Sequence, residues 1–313
     1  MVGLRRRRET PAPRNPGGAG GVHTLTTPSS QGAGRGSEPR GAPVLKALNN
    51  ISGGQHIAIV GATGCGKTTL ARLLCSLVPR PLIVDWDGEY TDLGLPVVNP
   101  PYPLPDVDLK TLLSNIERPK EGGHGIAAAI DLACERTDKT TISAVANALR
   151  TLAMGGYAPQ WIFATLARLA VLEKYIIFGI DVEPPLVYNL AAIDSIRERA
   201  IIQQAIATAF VLSRPLNPPD EILLVIEEGG MGATLEYLKD LIALARRRGI
   251  RLVYVSQVLP PEPLLPSFVL CLGDPGNLGA EWSRILGLPM PRLGRGEFLI
   301  IEWRKVRKVK VKF

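Results

Sequence analysis

Eight consecutive residues, Gly61-Ala-Thr-Gly-Cys-Gly-Lys67-Thr68, carry the strongest chemical pattern in the chain. They fit G-x-x-x-x-G-K-[ST], a loop that wraps phosphate groups. Gly64 and Gly66 let backbone N–H groups turn inward around a phosphate chain, and a helix N-terminus behind the loop adds partial positive charge. In this reading Gly61, Ala62, Thr63, Gly64, Cys65, Gly66, Lys67, Thr68 and Thr69 hold a nucleotide. Lys67 reaches its β and γ phosphates, and the Thr68 hydroxyl binds Mg²⁺. Cys65 fills a variable position of the loop.

A phosphate site of this kind needs one carboxylate for the metal and one to activate water. The run Ile222-Leu-Leu-Val-Ile-Glu227-Glu228 offers both at the end of an apolar segment. Side chains alternate along a strand, so the two acids should point apart. Glu227 is assigned to the magnesium shell and Glu228 to polarising the attacking water. A second acidic group, Asp85-Trp-Asp-Gly-Glu89-Tyr90, has two readings. Asp85 and Glu89 could position metal or water, or the segment could simply be turn chemistry, since Asp and Gly favour turns. Gln257 ends another apolar run and can sense a γ-phosphate by hydrogen bonding. Arg246, Arg247 and Arg248 end a helical segment. They offset the negative helix terminus, or one of them serves as an arginine finger for a neighbouring subunit.

The elements that must position these groups follow from apolar runs and breakers. Short buried strands are expected at Ile57–Val60, Pro81–Trp86, Leu186–Leu190, Ile222–Ile226, Leu252–Ser256 and Phe268–Leu272. Helices are expected at Lys67–Leu77, Asp194–Leu212 and Ala233–Arg248. Five prolines between 96 and 105 imply an extended connection, and helical spacing prevails through an insertion at about 106–182. Within it, Trp161–Ile180 reads as a buried helix. Glu297–Trp303 and Val306–Phe313 read as a closing hairpin, whose Lys308, Lys310 and Lys312 alternate with apolar residues. That alternation suits a protected edge strand or a DNA- or subunit-facing surface. Strands alternating with helices imply an α/β fold, a mainly parallel sheet covered on both faces.

The 313 residues include 36 basic and 29 acidic ones, a formal charge of +7. Residues 1–42 hold seven Arg against two Glu, and residues 302–313 hold six basic residues against one Glu. The body between them, with 23 basic and 26 acidic residues, is near neutral. Basic ends suggest contact with nucleic acid or an anionic surface. Residues 1–42, rich in Gly, Pro, Arg and Ser, read as a disordered tail, and residues 43–313 as one ATPase domain with the helical insertion. The apolar fraction of 46% excludes wholesale disorder. Four scattered cysteines, Cys65, Cys75, Cys134 and Cys271, suit neither a zinc knuckle nor a disulfide scaffold. With no apolar run behind Arg5–Arg8 and no uninterrupted spanning segment, a cytoplasmic protein is expected, without an integral membrane segment.

The phosphate loop, the D-x-x-G-E-Y element after the second strand, the Glu-Glu strand end and the Ser-Gln strand end occur in one order. That order resembles the HerA branch of the HerA/FtsK ATPases, DNA-translocating motors of archaea and bacteria. Leu186–Leu190 before a long helix and Gly296-Glu-Phe-Leu-Ile near the end add to the likeness, which spans roughly residues 50–303. The resemblance implies a RecA-like P-loop core, a ring that is usually a homo-hexamer, ATP and Mg²⁺ as cofactors, and double-stranded DNA as partner. By motif position it matches Lys67 and Thr68 to the nucleotide and metal binders, Glu227 and Glu228 to the hydrolytic pair, Gln257 to the sensor and Arg246 to the finger. Two departures stand out: Gln55-His56 replaces an Arg-His pair, and the family helicase's N-terminal β-barrel is missing. The same features allow a motor for DNA transfer across a membrane, peripheral to it, or for genome packaging, with a nuclease, pilus or capsid partner according to the process. An ATP-binding switch that moves no DNA is the reading from another class.

Overall fold

The computed structural model describes residues 55–116, 123–137, 141–157, 159–229, 234–302 and 305–311. The expected tail at 1–42, the start of order near Val44, Lys312 and Phe313 lie outside these residues.

The strands that carry the motifs form the middle of one nine-stranded sheet. Its parallel part comprises β1 (His56–Val60), β2 (Pro81–Asp85), β3 (Val97–Val98), β6 (Leu186–Asn189), β7 (Ile222–Ile226), β8 (Ile250–Ser256) and β9 (Phe268–Leu272). Two strands, β10 (Glu297–Glu302) and β11 (Lys305–Lys310), close it as an antiparallel hairpin. The spatial order is β11-β10-β9-β1-β8-β7-β2-β6-β3. Parallel strands buried on both faces read as unbroken apolar runs, and β1, β2, β7 and β9 do so at every position.

Alternation along each strand sends side chains to two separate cores. Ile57 and Ile59 join Ile83, Val225 and Val253 under α1 (Lys67–Leu77), against its Leu70, Ala71 and Leu74. Ala58, Val60, Leu224 and Tyr254 face the other way. There they meet α6 (Ile196–Ser213) and α7 (Leu235–Arg247). Both helices start one residue after a capping hydroxyl: Ser195 accepts from the Glu198 N–H, and Thr234 from the Tyr237 N–H.

Between β3 and β6 the chain leaves the sheet. It forms β4 (Tyr102–Leu104), α2 (Leu109–Ile116), α3 (Gly123–Glu135), α4 (Ile142–Met154), α5 (Pro159–Tyr175) and β5 (Ile176–Phe178). The proline-rich connection is therefore partly strand: β4 and β5 pair in parallel and bracket the helices where they leave and return. The Tyr102 and Tyr188 hydroxyls fasten that bracket to the main sheet, donating to the Asn189 and Pro103 carbonyls at 2.6 and 2.7 Å. The expected helix over Trp161–Ile180 is corrected on two points. It ends at Tyr175, because the next three residues pair as a strand, and it is buried on one face only. Ile162, Leu169 and Leu172 are buried while Phe163 is 63% exposed.

The hairpin bears out its expected place. It sits at the sheet edge, with Val309 and Val311 turned inward and Lys305, Arg307, Lys308 and Lys310 exposed, a charged rim that discourages further strand pairing.

Candidate nucleotide site

In an open parallel sheet, ligands bind beyond the carboxyl ends of the strands, where the order of connection reverses. Here β1 and β2 are consecutive in sequence but separated in space by β8 and β7. The four strand ends therefore present Gly61, Gln257, Glu227 and Asp85 side by side. Register makes this specific: Val60 lies beside Ser256, and Ile226 beside both Tyr254 and Val84.

The phosphate loop leaves β1 at Gly61 and enters α1 through Gly66. Gly64 and Gly66 have φ of 81° and 107°, the left-handed region that an L side chain rarely adopts. Lys67 donates through Nζ to the Ala62 carbonyl at 3.3 Å and so lies folded over the loop. The Thr68 hydroxyl donates to Glu227 Oε1 at 3.1 Å. Gln203 of α6 donates to the Glu227 carbonyl at 2.5 Å and fixes the strand end.

The two acids follow β7 in a turn, and both reach the same cavity. Glu227 is 4% exposed, and its second oxygen, Oε2, is buried without a hydrogen-bond partner. Burial, followed by the Asp85 and Glu89 charges, pushes its carboxyl up to about 8. Such a carboxylate, with one oxygen on the loop threonine and one orphaned, is short of a cation. Among the described residues no cluster of three or more His, Cys, Asp or Glu side chains could hold a metal by itself. Mg²⁺ needs no such cage, since one or two protein oxygens plus substrate phosphates suffice. The Thr68–Glu227 pair fits that role. Glu228 takes φ of 47°, a sparsely populated conformation for a non-glycine residue. It turns the side chain toward Gln257, whose amide donates to Glu228 Oε1 at 3.5 Å.

These groups line one cavity of about 320 Å³. Its wall includes Thr63, Gly64, Gly66 to Thr69, Glu89, Glu227, Glu228 and Gln257. The structure thus brings together the phosphate loop, both strand-end acids and the glutamine, from segments 190 residues apart. Three further residues on the wall, Asp87, Val255 and Arg295, were not singled out from the sequence. Arg295 stands between Gly294 and Gly296 in a loop with no local signature of its own.

The acidic turn divides. Asp85 is fully buried and accepts from the Gly88, Glu89 and Tyr90 N–H groups at 2.9, 3.0 and 2.9 Å. Its oxygens hold the turn and its carboxyl also meets that of Glu227, so Asp85 joins the turn to the end of β7, while Glu89 faces the cavity. The turn is braced from outside by Arg72, which donates to the Glu89 carbonyl and pairs with Asp92 at 2.6 Å. Arg199 braces the other side, contacting the Trp86 carbonyl and Asp87. A buried charged acceptor of three N–H groups is worth about 1.5–3 kcal/mol per bond. Asp85→Ala should therefore lower folding stability by about 3 kcal/mol or more. Denaturant unfolding measures this; unchanged stability with lost ATP hydrolysis would return Asp85 to a chemical role.

Arg246 is not at this site in its own chain. It sits at the opposite edge of the sheet, beside the amino ends of β1 and β8. There it lines a cavity of about 280 Å³ with His56, Asp220, Glu221 and Arg251. The length of β8 alone separates the two edges by about 20 Å. Arg246 and Arg247 are exposed. Burial and the neighbouring Arg246 and Arg251 charges push the His56 imidazole down to about 4, so it stays neutral. Its Nδ1 accepts from the Leu252 N–H at 3.0 Å. His56 thus holds β8 to β1 rather than contacting a nucleotide.

Residues 45–144 match the family model of the central domain of the helicase HerA. No curated protein matches the chain at a significant level. Among solved structures, VirB4 of Thermoanaerobacter pseudethanolicus superposes with a TM-score of 0.60 at 14% identity, over 82% of this chain and 89% of that one. The plasmid coupling protein TrwB, in complex with ADP and Mg²⁺, superposes with a TM-score of 0.60 at 17% identity, over 87% and 92%. TrwB with a non-hydrolysable ATP analogue is similar to the same extent, with a TM-score of 0.59. These matches bear out the RecA-like P-loop fold and the HerA/FtsK-type resemblance read from the motifs.

Proposed function

We propose that this chain is an ATP-hydrolysing motor that moves double-stranded DNA, working as a ring of identical subunits. The observation that carries the chemistry is the single cavity in which a phosphate loop, a threonine-linked buried acid and a glutamine-linked, half-buried acid converge. In this reading Lys67 and the loop N–H groups hold the β and γ phosphates. Thr68 and Glu227 hold Mg²⁺, which when bound neutralises phosphate charge. Glu228 polarises water in line with the γ-phosphate. Gln257, bonded to Glu228 and carried on the strand between the loop and the acids, changes partner when the γ-phosphate leaves. That change is the step by which hydrolysis reaches the rest of the subunit.

DNA as the object of the motor is supported by the HerA central-domain match and by the folds of VirB4 and TrwB. The test is ATP turnover with and without linear duplex DNA. Turnover should rise at least several-fold with duplex and be lost in Lys67→Ala. Turnover indifferent to DNA would favour the nucleotide-dependent switch instead. A second reading within the motor class is DNA transfer across a membrane, favoured by the likeness to TrwB, which is described as a bacterial conjugative coupling protein. Among the described residues no helix is long and apolar enough to cross a membrane.

A further inference from the structure

The loop before β10 closes directly onto the phosphate loop. Gly296 donates its N–H to the Cys65 carbonyl at 3.0 Å, the carbonyl between the two left-handed glycines. The closing loop is itself held from behind. Its Gly296 carbonyl accepts from the Val311 N–H at 2.8 Å. Gly294 donates to Glu297 Oε2 at 2.9 Å, and that carboxylate pairs with Lys308 at 2.9 Å. Gly296 takes φ of 78°, the left-handed region that suits glycine, and the hairpin fixes where Arg295 stands.

Arg295 lines the nucleotide cavity from this position. Four carboxylates share the wall, yet among the described residues the guanidinium has no ion pair and no hydrogen bond. Asp87, by contrast, is already paired with Arg199 at 3.1 Å. Lys67 is the other cation on the wall, and it is folded onto the loop carbonyl. A polyphosphate brings three or four negative charges into a cavity rich in carboxylates. A fixed, unpaired guanidinium suits phosphate oxygens in geometry as well as charge.

We infer that Arg295 is a phosphate-binding residue acting within its own subunit, positioned by the clasp of Gly296 on Cys65. This rests on the nucleotide-site reading above and adds to it a second cation, supplied by the loop before the β10–β11 hairpin rather than by a neighbouring subunit.

The test uses the full chain and three probes: ADP, a non-hydrolysable ATP analogue and inorganic tripolyphosphate as a competitor. Arg295→Ala should weaken all three by about tenfold to hundredfold, the scale of one charge-assisted hydrogen bond. Arg295→Lys should recover part of the loss. Arg295 is exposed, so the thermal midpoint without nucleotide should not move. Lys67→Ala, measured alongside, separates the two levels of argument. If Lys67→Ala weakens tripolyphosphate and Arg295→Ala does not, the role of Arg295 is overturned and the site stands. Loss of ADP and ATP-analogue affinity with unchanged tripolyphosphate would place Arg295 on the nucleoside and also overturn it. If neither variant weakens any probe, the cavity is not a phosphate site and both readings fall.

Discussion

Glu228→Gln is expected to bind ATP and Mg²⁺ about normally while losing hydrolysis by about 10²-fold or more, the usual scale for removing a general base. The amide keeps the shape of the side chain and its contact with Gln257, but it cannot accept a proton from water. Because Glu228 is only partly buried and stands on the cavity wall, the substitution should not disturb the fold. Glu227→Gln should fail differently. It removes a charged ligand from a hard cation, so hydrolysis should need more Mg²⁺ and recover at saturation. Single-turnover hydrolysis across a Mg²⁺ titration separates the two. Hydrolysis abolished in Glu227→Gln at saturating Mg²⁺, with Glu228→Gln active, would reverse the roles. If neither slows, this strand end is not the catalytic edge.

The same pair differs in its link to pH. Without nucleotide, the Glu227 carboxyl is raised from 4.5 to about 8 in the folded chain. The folded state therefore holds a proton that the unfolded chain has lost between these values. Stability should fall as pH rises through that window and level off above about 8. Glu227→Gln removes this titration, so its nucleotide-free stability should be flatter over the same range. An equal slope in both proteins would mean that Glu227 ionises normally despite its burial.

What could be read from the sequence was what local pattern determines. Five apolar residues gave β7 and β9 their ends, and the glycine-rich loop and Pro79 gave α1 its start and its end. Helix starts were placed early at Asp194 and Ala233 because the caps, Ser195 and Thr234, were counted as helical. What could not be read depends on partners distant in sequence. β4 and β5 are three residues each and exist because they pair with one another across an insertion of about seventy residues. The three N–H groups and the Glu227 carboxyl that meet Asp85 are brought to it only by the folded turn and the neighbouring strand. Arg295 has no motif; its place follows from a hairpin that binds back onto a loop some 230 residues earlier. The phosphate loop and the strand-end acids were legible because their chemistry demands particular residues at particular strand ends.

Arg246→Ala subunits should bind ATP yet hydrolyse it slowly, by a factor of up to about 10³, the lower end of the range for losing an arginine finger. The location of Arg246 makes the prediction sharp. It cannot reach its own phosphate loop across the width of the sheet, so an effect on hydrolysis must pass between subunits. The proposed ring would have to set the edge bearing Arg246 of one subunit against the cavity edge of the next. Lys67→Ala subunits, in turn, keep Arg246 but cannot hold the phosphates. Mixing the two inactive variants creates interfaces where an intact loop faces an intact Arg246, and turnover should partly return. Arg247→Ala is the control, since at about 100° per residue it points elsewhere on the helix. The measurement is ATP turnover against mixing ratio, with subunit exchange verified by mass. No recovery in well-mixed rings would mean that Arg246 is no finger and that its loss acts through the fold of its own subunit. Its neighbours His56, Asp220 and Glu221 would then mark that edge as a structural joint. Recovery that peaks near equal mixing would place the second half of each active site on the adjacent subunit, and would make ring assembly a condition of hydrolysis.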